Sequence, residues 1–272
     1  KERPNIVILS AAKGGGIYAN KEYSGDFILE NLKIQTNVIE ESWRSGVKRL
    51  LFLGSSCIYP KFAKQPIVEE ELMTGELEST NSAYAIAKIS GIKLINSLRD
   101  QYGFDGINLM PTNLYGPGDN YHPKNSHVLP SLIRKFLNAI INKTSKVECW
   151  GDGSAFREFM HVDDLARAVI FLLENWDPLR SSDSTENENN YPLDFINVGT
   201  GKDISIFDLT NKIAKLTNFK GEIIWDKSKP DGTLKKQLDI NMIRSLGWES
   251  KINLDLGIRS TIEMYKKNNK II

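Results

Sequence analysis

Short β-branched runs alternate with amphipathic helical stretches from Asn5 to Pro111, and this alternation restricts the fold more than any other feature. Asn5–Leu9 reads as a buried strand that runs into small residues and Gly14–Gly16, where backbone can approach a neighbour closely. Asp26–Trp43 carries Phe27, Leu32, Ile34, Val38 and Ile39 at helical spacing, with Gly46 as a stop signal. Lys48–Leu53 predicts a second strand, Ser82–Tyr102 a second helix, and Gly106–Met110 a third strand ending at Pro111. Strand, helix, strand, helix, strand implies an α/β fold whose parallel sheet is covered on both faces, a doubly wound arrangement.

Beyond Pro111 the pattern loosens. Gly116, Pro117, Gly118 and Pro123 mark a long loop before a helix near Val128–Ile141. Further helices are expected at Asp163–Glu174, Ile206–Leu216 and from about Leu254 to Lys267, with strands at Phe195–Val198 and Glu222–Trp225. Residues 177–192 are polar, acidic and poor in apolar side chains, which predicts an exposed insertion.

Composition excludes several classes of function. A chain of 272 residues with 40% hydrophobic and 25% charged residues can bury a substantial core. The net charge of +1 offers no basic face for nucleic acid, and runs such as Leu50–Leu53 are too short to span a bilayer. Cys57 and Cys149 are the only cysteines and form no C-x-x-C, which fits a reducing, cytoplasmic compartment. The histidines show no clustering with cysteine or acidic residues at ligand spacing, so no metal is predicted. A small-molecule ligand is the remaining expectation.

The chemistry concentrates in a few positions. Tyr84 and Lys88 lie four apart on the predicted helix and share a face. A tyrosine titrates near about 10, and a neighbouring ammonium favours the phenolate, which makes proton exchange with a substrate oxygen feasible. The same pair also suits a solvated surface contact. Ser55 and Ser56 follow a strand at the rim where open α/β sheets bind ligands, although small residues there also suit a tight turn. Cys57 stands at the same rim and could serve as acid or base beside a cation, with His127 as the partner; a buried cysteine and a cap-region histidine are the plainer alternatives. No G-x-G-x-x-G run occurs, so the usual pyrophosphate-binding turn is missing.

The segments AAKGGGIYAN at 11–20, LFLGSSCIYPKFAKQPI at 51–67, SAYAIAKISGIKL at 82–94, MPTNLYGPGDNYHPKNSHVLPSLIRKF at 110–136, WGDGSAFREFMHVDD at 150–164 and SKPDGT at 228–233 together resemble the GDP-L-fucose synthases. These belong to the extended short-chain dehydrogenase/reductases. The resemblance covers nearly the whole chain apart from 177–192. It implies NADP(H)-dependent epimerisation at C3 and C5 and reduction at C4 of GDP-4-keto-6-deoxy-D-mannose. Cys57 and His127 would act as base and acid. Tyr84 would protonate the C4 alkoxide, with Ser55 bonding that oxygen and Lys88 tuning Tyr84 while holding the nicotinamide ribose.

By the same resemblance, Leu53, Gly54, Ser55, Ser56, Lys88, Pro111, Thr112, Asn113, Leu114 and His127 would contact the cofactor. Lys135, Trp150, Arg157 and Asp231 would hold the GDP-sugar. Each has a plainer alternative: Trp150 as a core anchor beside Gly-Asp-Gly, Asp231 as a turn residue. Lys135 stands where arginine is common in the family, keeping charge without bidentate geometry. His161 in His-Val-Asp-Asp reads as structural.

The resemblance further implies a Rossmann-like NADP-binding lobe from residues 1–114 and 160–200 and a smaller GDP-sugar lobe from 115–159 and 201–272. It implies a homodimer paired through helices such as Asp26–Trp43 and Ser82–Tyr102. Lys1 aligns after the first strand, glycine-rich turn, helix and second strand of the family, so the lobe is expected to be N-terminally incomplete, with an exposed sheet edge. Another nucleotide-sugar epimerase or dehydratase, and a non-catalytic GDP-sugar-binding fragment, are the alternatives.

Overall fold

The computed structural model describes residues 2–178, 195–229 and 232–271. Residues 179–192 of the predicted insertion, and Asp231, lie outside the described residues. The strands are β1 (Ile6–Leu9), β2 (Arg49–Leu53), β3 (Gly106–Pro111), β4 (Asn113–Tyr115), β5 (Lys146–Trp150), β6 (Phe156–His161), β7 (Phe195–Val198), β8 (Asp203–Ser205), β9 (Glu222–Asp226) and β10 (Lys235–Lys236). The helices are α1 (Ile17–Glu22), α2 (Ser24–Arg44), α3 (Ser82–Tyr102), α4 (Val128–Ile141), α5 (Val162–Asn175), α6 (Ile206–Thr217), α7 (Asn241–Ser245) and α8 (Leu254–Asn268).

The expected parallel sheet is present, in the order β1-β2-β3-β7. Alternation along β2 divides its side chains between two covered faces. The Phe52 ring meets α3 at Gly91, where a Cβ would come within 2.8 Å of it. On the opposite face Arg49 donates to the carbonyls of Leu173 and Trp176 at the end of α5. Leu50, Leu51 and Phe52 are fully buried between these layers, a pattern that only a double-covered parallel strand tolerates. β1 is paired on one side only among the described residues, and its Ile6 and Ile8 are 51% and 45% exposed.

α3 ends where Gly103 takes φ +68° and its amide donates to the Arg99 carbonyl at 2.8 Å, a left-handed stop that glycine adopts without strain. β2 and β3 run in register from Leu50 opposite Gly106 to Leu53 opposite Leu109, so both strands deliver their following residues to one rim.

A second core is built by α4, α6 and α8, with Ile133, Phe136, Leu209, Ile213, Ile258 and Ile262 buried together. Around it lie the parallel pair β5-β9 and the group β10-β6-β4, to which β8 adds antiparallel. Leu238, Ile240, Ile243 and Trp248 return from this side of the sequence to the first core. Among the described residues no helix is long and apolar enough to cross a membrane.

Candidate functional site

The carboxyl end of β2 opens on a cleft of about 350 Å³. Gly54 leads into it because the strand runs tight against β3: a Cβ there would fall 2.4 Å from the Met110 sulfur. Ser55 follows in extended conformation and caps a single 3₁₀ turn, its hydroxyl accepting from the Cys57 amide at 3.3 Å. That turn places Ser55, Ser56 and Cys57 on one wall. Lys236 reaches the same wall and donates to Cys57 Sγ at 3.9 Å, which puts a positive charge beside the sulfur.

Tyr84 lies near the start of α3 on the adjoining wall, with a hydrogen bond between its hydroxyl and Ser55. Burial pushes its phenol up, the negative charge of a Cys57 thiolate would push it the same way, and the Ser55 bond opposes both. The expected help from Lys88 is absent. The Lys88 ammonium turns instead to the Leu53 carbonyl at 2.8 Å and sits 5.8 Å from the centre of the Tyr84 ring and 4.6 Å from that of Phe52. Burial pulls this lysine down from 10.5 to about 8. Burial therefore favours the neutral phenol of Tyr84 over the phenolate that its spacing from Lys88 suggested. Leu53 and Lys88 form a layer behind the cleft surface.

His127 occupies the position before α4 without using its side chain as a cap. Its imidazole opens onto the cleft, and the surrounding walls lower its pKa by desolvation. The other histidines serve the backbone. His122 Nδ1 accepts from the amides of Lys124 and Asn125, and His161 Nδ1 accepts from Asp163 as the cap of α5.

The end of β3 supplies Pro111 and Thr112, and β4 supplies Asn113 and Leu114, to the same cleft. Thr112 and Asn113 are fixed by donating to the Glu158 carbonyl at 3.2 and 2.8 Å. The Glu158 side chain is fully buried, and burial raises its pKa although it accepts from Gly201 at 2.8 Å, Leu238 at 2.9 Å and the Thr200 amide. Gly199 makes room for it, since a Cβ there would overlap the carboxylate. This carboxylate ties β6 to the segment that carries Lys236.

A second cavity of about 230 Å³ adjoins the first and shares Asn113, Leu114, His127 and Arg157 with it. Lys135 and Trp150 line it, as sequence reasoning expected, together with Trp225 and Cys149. Trp150 is 44% exposed and is not a core anchor; Lys135 and Lys229 lie 5.7 and 6.0 Å from its ring centre. Lys135 donates to the Glu148 carbonyl at 2.8 Å, and desolvation lowers its pKa. Arg157 bridges both cavities and donates to the Phe156 carbonyl at 2.7 Å.

The cleft also contains residues that sequence reasoning missed, chiefly Glu78, Asn81, Asp119 and Lys236. Asp119 is raised to about 6 by burial. Lys236 comes from 179 positions after Cys57, a pairing that no local pattern reveals. Asn81 and Glu78 could have been suspected from their place just before the Tyr84 helix.

Residues 1–185 match the family described as the NAD dependent epimerase/dehydratase family. The chain is 50% identical over 268 residues to GDP-L-fucose synthase 1 of Arabidopsis thaliana, covering 98% of this chain and 79% of that protein. It is also 50% identical over 268 residues to the GDP-L-fucose synthase of Escherichia coli K12, covering 98% and 82%. Among solved structures, it resembles MlghC, a GDP-mannoheptose C4 reductase from Campylobacter jejuni with NADP bound. The TM-score is 0.85 at 38% identity, over 97% of this chain and 82% of the other.

Proposed function

The chain belongs to the NAD dependent epimerase/dehydratase family, and from that premise we propose that it converts GDP-4-keto-6-deoxy-D-mannose to GDP-L-fucose with NADPH. One observation carries this reading. A cleft holding Ser55, Cys57, Tyr84 and His127 continues into a cavity lined by Lys135, Trp150 and Arg157. The first set suits a ketone whose neighbouring carbons exchange protons; the second suits a nucleoside diphosphate.

The C4 ketone acidifies the protons on C3 and C5. Cys57 removes a proton and His127 returns one to the opposite side, with Lys236 stabilising negative charge on sulfur. Ser55 hydrogen-bonds the C4 oxygen while it bears enolate character. Tyr84, held protonated by its burial, donates its proton to that oxygen as C4 becomes an alkoxide. NADPH supplies the hydride to C4 when bound.

The residues present fit the nicotinamide end of that cofactor. Gly54–Ser56 with Pro111–Leu114 stand at the strand ends where such a ring is held, and Lys88, buried behind them with its ammonium on the Leu53 carbonyl, is assigned to the ribose by the family resemblance alone. Trp150 and Arg157 receive the guanine and diphosphate by stacking and charge, and Lys135 adds a cation. Asp231 belongs to the same set by its place in Pro-Asp-Gly-Thr.

The division of labour follows the two cores, with residues 1–114 and 160–200 serving the cofactor and 115–159 and 201–272 the GDP-sugar. A homodimer forms through the outer faces of α2 and α3, which carry exposed Leu29, Ile86 and Tyr102. Two free cysteines suit a cytoplasmic enzyme.

The test is incubation with GDP-4-keto-6-deoxy-D-mannose and NADPH in deuterated water, with the product identified by NMR. GDP-L-fucose labelled at C3 and C5 is expected, with one NADPH oxidised per product. A C4-reduced sugar without label would reduce the activity to a simple reductase. Binding of GDP-L-fucose without NADPH would make the chain a GDP-sugar binder.

A further inference from the structure

The segments that carry Cys57 and Lys236 meet again beyond the cleft, where Ile67 and Leu238 pair as a parallel bridge. The Ile67 amide donates to the Gln237 carbonyl, and the Asp239 amide to the Ile67 carbonyl, both at 2.8 Å. Gln237 is held twice more. Its amide donates to Gln65 Oε1 at 2.9 Å, and its carboxamide donates to the Gly201 carbonyl at 2.8 Å.

Glu158 closes this junction from the other side. One carboxylate oxygen accepts from the amides of Thr200 and Gly201 in the turn after β7, and the other accepts from the Leu238 amide at 2.9 Å. β10 itself contributes only Lys235 and Lys236, opposite Phe156 and Arg157. So short a strand is fixed by what holds its ends. A backbone clamped at Gln237 and Leu238 gives the lysine one starting point, and its ammonium ends 3.9 Å from Cys57 Sγ.

We propose that Glu158 and Gln237 are positioning residues that act through Lys236, holding its ammonium against Cys57 and so setting how readily that sulfur reacts. Their part in the reaction rests on the reading of Cys57 as a base. The three amides that face position 158 are all donors, and a carboxamide there would present N–H groups of its own to at least one of them. With Thr200 and Gly201 sharing one oxygen, the mismatch falls on Leu238, and the segment carrying Lys236 is released. A sulfur that loses its neighbouring cation loses reactivity toward an electrophile.

The experiment measures the rate at which iodoacetamide alkylates Cys57 at neutral pH, read by peptide mass spectrometry. It compares the wild-type chain with Lys236→Met, Glu158→Gln, Gln237→Ala and the double variant that combines Glu158→Gln with Lys236→Met. The buried Cys149 is the internal reference, and thermal midpoints are recorded. Lys236→Met is expected to slow Cys57 alkylation on the order of tenfold, and Glu158→Gln to come close to that loss. Gln237→Ala, which removes one hydrogen bond of the clamp, is expected to slow it about threefold. The double variant should react no more slowly than Lys236→Met, because the clamp reaches the sulfur through that lysine. An unchanged or faster Cys57 rate in any single variant, a further loss in the double variant, or Cys149 becoming reactive as the midpoint falls would each overturn the assignment. If Glu158→Gln does not fold, the rate of Gln237→Ala against that of Lys236→Met decides. Because alkylation is read without substrate, inactivity toward GDP-4-keto-6-deoxy-D-mannose with this pattern intact would count against the proposed reaction and leave the assignment standing.

Discussion

The two walls of the cleft are made in opposite ways. The wall around Tyr84 rests on the parallel sheet and α3: Lys88 is 3% exposed, Ser56 is buried, and Ser55 and Lys88 are each fixed by a backbone partner. The wall around Trp150 rests on the two-stranded β5-β9 sheet and the exposed side of α4, and is held by cations lying over an aromatic ring. Burial moves titrations on both walls, but further on the first, where it takes Tyr84 upward and Lys88 down to about 8, than on the second, where it lowers Lys135 and raises Cys149. Proton transfer requires groups removed from water, because only there does a neighbouring charge or dipole act at full strength. Recognition of a base and a diphosphate requires area and charge, which an open wall supplies.

The largest effect should come from Tyr84→Phe, which removes the donated proton. The rate of NADPH oxidation at saturating substrate should fall by about 10² to 10⁴. A loss below about tenfold would mean that water or another residue protonates the C4 oxygen, and the contrast between the walls would fail. Gly91→Ala tests the rigidity of the same wall from behind. Its Cβ would meet the Phe52 ring at 2.8 Å, so a destabilisation of about 1–3 kcal/mol is expected in urea unfolding.

On the open wall, Trp150→Ala should raise KM about tenfold, on the order of 1 kcal/mol of stacking, with the thermal midpoint unchanged. A fallen midpoint would make Trp150 structural and bring the two walls closer in kind.

Lys88 gives a pH signature. Below about 8 both folded and unfolded chains carry its charge, and the fold bears the cost of burying it. Between about 8 and the ordinary 10.5 the folded chain sheds that proton while the unfolded chain keeps it, so this group makes stability rise with pH across that window. The slope is at most ~1.4 kcal/mol per pH unit, and Lys88→Met should flatten it when urea midpoints are compared from pH 8 to 10. The smallest effect is expected for Lys135→Arg. The open wall can admit the larger fork, so KM should change by no more than about threefold.

The comparison also shows which parts of the molecule were legible beforehand. α3 and α4 occupy the residues that helical spacing gave, and β2, β3 and β7 fall on the runs of apolar residues. The second unit was less legible. In β6, Arg157 and the buried Glu158 break the apolar run, and β4, β8 and β10 span three, three and two residues, too few to show a period. α1 went unseen because six residues after a glycine run carry no repeating face.

By itself the sequence determined the parallel α/β lobe and most of its chemistry-bearing positions. Strand runs, helix periodicity and the spacing from Tyr84 to Lys88 are local properties, and the motifs around Ser55, Cys57 and His127 are contiguous. Tertiary structure alone decided the state and company of those residues. It brought Lys236 to Cys57, and made Glu158 the tie between β6 and the segment carrying that lysine. It also buried the Tyr84 hydroxyl, which raises its phenol, and sent the Lys88 ammonium to the Leu53 carbonyl. The reason is that burial and long-range contacts set proton affinities and partners, and neither exists until the chain has closed on itself.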